Sequence, residues 1–154
     1  MNDPDQHIAL MRLALQEAEK AALLGEVPIG AIITDSATGE ILAKTHNETI
    51  TRCDPTAHAE ILALRQVCAA KEAQRIPGCN LYVTIEPCPM CASALSFARF
   101  DHVYFGATDI KSGGFVSGPN LMSHAALHHK PGFTGGILAD EAAALMQKFF
   151  KERR

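Results

Sequence analysis

Leu81-Tyr82-Val83-Thr84-Ile85-Glu86-Pro87-Cys88-Pro89-Met90-Cys91 decides how this chain folds and what it can hold. The first five residues predict a central strand. The run Pro89 to Phe97 follows directly and reads as a short helix whose first turn begins near Cys88. Cys88 and Cys91 are three apart, so they lie on one face of that turn. A helix N-terminus favours the thiolate form that metal binding needs. By itself a C-x-x-C pair could equally be a redox pair, a structural zinc half-site or an accident of composition.

Upstream stands His58-Ala59-Glu60. Zn²⁺ prefers tetrahedral nitrogen and sulfur donors, and catalytic sites use three protein ligands with water in the fourth position. His58, Cys88 and Cys91 make three, which predicts one catalytic Zn²⁺ per subunit. Water in the remaining position ionises near neutral pH. A helix beginning near His58 projects His58 and Glu60 from its first turn, close to the metal. Glu60 is then the candidate proton shuttle for hydrolytic chemistry. Cys53 lies near His58 and is the alternative fourth ligand; Cys68 and Cys79 read as buried structural cysteines.

Helical spacing of Ile8, Met11, Leu15, Ala18 and Ala22 predicts an N-terminal helix over about residues 5–24, ended by Gly25. Val27 to Thr34 and Ile41 to His46 read as antiparallel strands around the turn Asp35-Ser36-Ala37-Thr38-Gly39. A helix is expected over about 58–74, broken by Pro77-Gly78. His102 to Gly106 is the next strand. Lys111 to Gly136, rich in Gly, Ser and His, is expected to be an ordered functional loop with a short helix near Leu121 to Leu127. Leu138, Ala142, Leu145, Met146 and Phe149 mark a last helix. Alternating strands and helices predict an α/β fold, a three-layer α/β/α sandwich around a mixed sheet of about five strands. The two motifs fall where strands hand over to helices, as sites in such folds do.

The chain has 154 residues, expected to form one domain over 1–154 with a sizeable core, and 47% of them are apolar. No run approaches membrane-spanning length and none resembles a signal peptide. With two of the five cysteines assigned to metal, no disulfide framework remains, so a reducing cytoplasm fits. The net charge is −3, but residues 1–60 hold four basic and ten acidic side chains while residues 61–154 hold ten basic and seven acidic. Much of the later excess sits in Lys148-Phe149-Phe150-Lys151-Glu152-Arg153-Arg154. That end reads either as a solvated helix terminus or as a phosphate-contacting tail.

H-x-E followed by P-C-x-x-C is a known signature of zinc-dependent nucleobase deaminases. The chain resembles the bacterial tRNA-specific adenosine deaminases within the cytidine-deaminase-like superfamily, nearly end to end. The resemblance is carried by Glu26-Val27-Pro28-Ile29-Gly30-Ala31, Asn47, Asp54-Pro55-Thr56-Ala57-His58-Ala59-Glu60-Ile61, Leu81 to Cys88, Cys91 and Gly106-Ala107. It continues in Asp109-Ile110-Lys111-Ser112-Gly113, Gly136-Ile137-Leu138-Ala139-Asp140-Glu141 and Phe149-Phe150-Lys151. It implies hydrolysis of the wobble adenosine of a tRNA anticodon loop to inosine, a cytidine-deaminase-like fold and a homodimer. It also implies roles. Asn47 would hydrogen-bond the flipped base or its sugar, Val27 would line the base pocket, and the backbone N–H of Ala59 would contact the purine. Asp109 and Lys111 would touch the anticodon loop, with Phe149, Phe150, Lys151 and Arg153 as further tRNA contacts. His124, His128, His129 and Lys130 are candidates in the following loop, although the histidines also suit packing and loop hydrogen bonds. The run Glu86 to Cys91 is similar to bacterial guanine deaminases too, which makes a free-base deaminase, of guanine or cytosine, the rival enzyme. A zinc-stabilised, non-catalytic tRNA-binding partner would be expected to lack Glu60.

Overall fold

A computed structural model describes residues 3–153. Arg154, the last cation of the basic tail, lies outside the described residues.

The first element is α1, Pro4–Leu23. Asp3 caps it by accepting from Asp5 N, and Pro4 occupies the first turn, where no N–H is needed. The strands are β1 (Gly30–Asp35), β2 (Ile41–His46), β3 (Cys79–Ile85), β4 (His102–Ala107) and β5 (Gly132–Thr134). The remaining helices are α2 (Ala59–Lys71), α3 (Pro89–Phe97) and α4 (Ala139–Lys151). The sheet order is β2-β1-β3-β4-β5. β1 is antiparallel to both neighbours, while β3, β4 and β5 run parallel, so the sheet is mixed as expected.

Strand alternation builds the layers. Ala31 and Ile33 of β1, Leu81 and Val83 of β3, and Val103 and Phe105 of β4 pack with Ala63 and Val67 of α2 and Ala92 and Leu95 of α3. Their neighbours Ile32, Tyr82 and Tyr104 face Leu10, Met11 and Ala14 of α1. Ile85 continues that second layer, with Leu15 of α1 and Ala142 of α4. The result is the three-layer sandwich predicted above. Fully buried side chains such as Phe100, Phe105 and Phe115 each contribute roughly 1.5–3 kcal/mol of burial. Gly30 permits α1 to lie close on β1: a Cβ there would stand 2.0 Å from the carbonyl oxygen of Ala14.

Four details depart from expectation. β1 begins at Gly30 rather than Val27, because Ile29 N turns back to donate to Val27 O at 2.8 Å. The second helix ends at Lys71 rather than near 74, because Glu72 turns left-handed (φ 52°) and caps it without a glycine. The helix expected near Leu121 to Leu127 is a single 3-10 turn, Leu121–Ser123, after Asn120 at φ 49°. Gly132–Thr134 adds a short parallel edge strand inside the segment read as loop.

Candidate metal centre and its surroundings

Sheet polarity gathers one set of chain ends at one edge. Because β1 is antiparallel to β3, the start of β1 lies beside the end of β3, as in the pairing Ala31↔Val83. The end of β2 joins them, since Gly30 pairs with His46. β4 runs parallel to β3, so its end arrives there too, in Ile85↔Ala107. The start of α2 is tied to the same edge by Thr45, whose hydroxyl donates to Ala59 O at 2.7 Å.

The metal donors sit at two helix starts on this edge. His58 is the N-cap of α2 and Cys88 the N-cap of α3. Neither side chain spends itself on capping, so both are free to ligate. Cys91 is one turn further along α3 and wholly buried. His58 Nδ1 lies 3.6 Å from Cys88 Sγ and 3.6 Å from Cys91 Sγ. A tetrahedral zinc ion, with bonds of about 2.0–2.1 Å to nitrogen and about 2.3 Å to sulfur, requires N···S separations near ~3.6 Å. The donor set therefore fits zinc in type and spacing. Among the described residues His58, Cys88 and Cys91 form the group able to hold a metal ion.

The electrostatics suit a cluster that exchanges protons for a cation. The Cys88 thiol is pulled down to about 4, first by the hydrogen bond from Cys91, against burial, and then by His58. Cys91, donating to Cys88 and buried, is pushed up. His58 is raised by its bond to Cys88. Glu60, on the first turn of α2, is 4% exposed, and burial pushes its carboxyl up to about 7. Its Oε1 has no hydrogen-bond partner among the described residues. A buried carboxylate without that partner costs stability, so it is explained better by chemistry than by packing.

Of the residues expected to meet substrate, Asn47 is 5% exposed at the end of β2, its N–H donating to Ile29 O at 3.0 Å. Val27 is half-buried just before β1. Ala59 is buried at the first turn of α2. Asp109 and Lys111 follow β4, with Lys111 exposed. The tail reaches the same edge, because the Arg153 guanidinium is 3.9 Å from where a Cβ on Gly25 would stand. Within it Phe149 is 5% exposed and lies beneath Arg153, 3.6 Å from ring centroid to guanidinium. Phe150, Lys151 and Arg153 are exposed. Cys53 points its thiol at Ile50 O, 3.7 Å away, and stands outside the donor group. His129 donates to Phe100 O and His124 Nδ1 accepts from Ala126 N, so these two serve the loop.

Two carboxylates at this edge carried no motif of their own. Glu26 is fully buried and accepts from Ile50 N, Thr51 N and Thr51 Oγ1. Glu86 accepts from Asp109 N, Val116 N, Ser117 N and Ser117 Oγ. Both stand in stretches that carry the family resemblance, Glu26 to Ala31 and Leu81 to Cys88, but nothing in those stretches marks the two side chains as clamps on distant backbone.

Residues 4–107 match the family described as the cytidine and deoxycytidylate deaminase zinc-binding region. A tRNA-specific adenosine deaminase of Agrobacterium fabrum is 44% identical over 144 residues, covering 94% of this chain and 93% of that protein. A solved structure from studies of A-to-I editing by tRNA:A34 deaminases superposes with a TM-score of 0.86 at 44% identity, covering 89% of this chain and 98% of that one. The guanine deaminase of Nitrosomonas europaea shares the fold, with a TM-score of 0.80 over 92% of this chain and 83% of that one, but only 24% identity. No helix among the described residues is long and apolar enough to cross a membrane.

Proposed function

This chain belongs to the cytidine and deoxycytidylate deaminase zinc-binding family, within its tRNA-specific adenosine deaminases, and on that premise we propose that it hydrolyses the wobble adenosine of a tRNA anticodon loop to inosine and ammonia. The observation that carries the chemistry is the His58, Cys88 and Cys91 donor set with zinc spacing, next to a buried Glu60 that packing does not explain.

When bound by these three residues, zinc supplies the Lewis acidity that makes water a nucleophile near neutral pH. Glu60 takes the first proton that water gives up and passes it to the ring nitrogen of the purine, where it stays. It then takes the second proton, from the hydroxyl newly bonded to the ring carbon, and hands it to the amine, which leaves as ammonia as the C–N bond breaks. Burial is what suits it: a carboxyl held near 7 can both accept and return a proton at working pH. Asn47, able to donate and accept, holds the purine edge or its sugar. Val27 walls the pocket and the Ala59 N–H faces the base. A base must leave its stack to enter such a pocket, which costs least in a single-stranded loop. Asp109, Lys111 and the tail cations Lys151 and Arg153 hold the loop from outside, with Phe149 supporting Arg153 from beneath.

The reading extends to the whole of residues 1–154 acting as one deaminase domain, in the cytoplasm, where tRNA is modified and thiolate ligands stay reduced. It also includes a homodimer, supported by large apolar side chains left in water at Phe97 (68% exposed) and Ile110 (85%). The test is incubation of the zinc-loaded chain with an anticodon stem-loop carrying wobble adenosine and, separately, with free guanine, cytosine and adenosine. Inosine in the stem-loop is expected. Rapid turnover of guanine with no inosine in RNA would overturn the substrate while leaving the zinc chemistry standing.

A further inference from the structure

Glu86 joins β3 to the turn that carries Cys88, and it is 3% exposed. All four hydrogen bonds of its side chain reach one segment that lies 23 to 31 residues further along the chain. Oε1 accepts from Asp109 N (3.0 Å) and Ser117 Oγ (2.7 Å), and Oε2 from Val116 N (2.8 Å) and Ser117 N (2.7 Å). A carboxylate accepts only and offers about four lone-pair directions, so four donors match it fully. Glutamine has one acceptor oxygen, and its amide would turn N–H groups toward donors.

The same segment is pressed onto the metal turn. Gly114 N donates to Pro87 O at 3.0 Å. A Cβ on Gly113 would stand 2.7 Å from the Glu86 carboxylate, and one on Gly114 would stand 2.5 Å from Pro89 N. Phe115 is fully buried against Phe105 and Phe133. Between the Asp109 bond and the Gly113–Ser117 contacts only Ile110, Lys111 and Ser112 remain exposed. Asp109 Oδ1 holds even these, accepting from Lys111 N and Ser112 N.

We propose that Glu86 is a positioning residue that straps the Asp109–Ser117 segment to the Cys88 turn and thereby sets where Asp109 and Lys111 meet the RNA relative to the metal. This rests on the proposed tRNA substrate. The Glu86 carboxylate spends its hydrogen bonds on Asp109, Val116 and Ser117 and none on a metal donor, so its loss weakens RNA capture more than the chemical step.

The test uses zinc-loaded full-length wild type, Glu86→Gln and Ser117→Ala, with an anticodon stem-loop as substrate. In Glu86→Gln the zinc content stays at the wild-type level, and amide exchange at Asp109, Val116 and Ser117 quickens. KM for the stem-loop rises about tenfold, the equivalent of one lost charge-assisted bond, while kcat changes by less than about threefold. Ser117→Ala keeps the backbone bonds and shifts KM the same way by roughly two- to threefold. Unchanged exchange, an unchanged KM, a fall confined to kcat, or loss of zinc in Glu86→Gln would each overturn the proposal. If that variant does not fold, Ser117→Ala decides, and an unchanged KM there overturns it. A wild type inactive on the stem-loop would refute the substrate instead, and amide exchange would still decide whether Glu86 straps the segment.

Discussion

Replacing Glu60 by glutamine separates moving a proton from holding the metal. The side chain is 4% exposed, and its Oε1 lacks a hydrogen-bond partner among the described residues. Glutamine keeps the shape and removes the exchangeable proton. General acid–base catalysis is worth about 10²–10⁴-fold, or roughly 3–5 kcal/mol of barrier. Since Glu60 is the one group proposed for all three proton movements, the loss should fall at the upper end, near ~10⁴-fold. Zinc content should not change, because the three donors are untouched. Stability should not fall either. A buried carboxyl with incomplete partners costs about 1–3 kcal/mol, which a neutral amide relieves in part. At about 2–4 °C per kcal/mol for a chain of this size, Tm should equal the wild-type value or exceed it by a few degrees. The assay is single-turnover inosine formation in a stem-loop, with zinc analysis and calorimetry on the same samples. Activity within about tenfold of wild type would refute the shuttle role. Loss of zinc would make Glu60 a ligand, and a clear drop in Tm would reduce the activity loss to misfolding.

Cys91→Ala should lose both metal and several kcal/mol of stability, of order 3–5, because binding energy is part of folding energy in such sites; a full complement of zinc in that variant would remove Cys91 from the ligand set. Burial raises the Glu26 carboxyl, but hydrogen bonds from Thr51 and Ile50 outweigh it and leave it below its usual range. A depressed carboxyl contributes stability that is present above its unfolded value near ~4.5 and lost as pH falls through the folded one. Glu26→Gln should therefore flatten the acid limb of a Tm-against-pH profile, and an identical limb would count against the clamp. Deleting the tail from Lys148 would remove the buried Phe149 as well, so point changes test it better. Lys151→Ala with Arg153→Ala should raise KM for RNA about 3–10-fold at low salt and leave kcat nearly unchanged, with the difference shrinking as salt increases; a salt-independent loss would point to damaged packing.

The metal centre was legible because its grammar is local. Cys88 and Cys91 are fixed by one helical turn, and His58 stands two residues before Glu60 at a helix start, so both helix N-termini could be placed before their meeting was observed. The strands with strong alternation, such as Leu81–Ile85, were legible for the same reason. β5 was not: Gly132-Phe133-Thr134 is too short for any period, and it holds its place only through pairing with β4. The end of α2 carries no sequence signal, because a left-handed Glu72 closes it without a glycine to announce it. The clamps at Glu26 and Glu86 were invisible, since their partners stand 24 to 31 residues away, or 23 for Asp109, and a lone acidic residue has no periodicity.

The same clamps resolve the charge puzzle of an acidic first half in a chain proposed to hold RNA. Of the ten acidic residues in positions 1–60, Glu17, Glu26 and Glu60 are buried. Glu17 is paired with Lys20 at 2.6 Å and lies 3.2 Å from His46 Nδ1, and Glu26 is spent on backbone donors. Asp35 and Asp54 accept from the turns that follow them. Asp3, Asp5, Glu19 and Glu40 are the four of the ten that stand exposed. Lys111, Lys151 and Arg153 stand in water, and the geometry of Gly25 and β4 brings them to the edge where the zinc donors lie. Because the field at a surface falls off within about 8–10 Å at ordinary ionic strength, a phosphate held there responds to the charges it meets locally rather than to the net charge of the chain. A negative net charge is thus compatible with RNA capture, provided that capture is local, modest in strength and sensitive to salt.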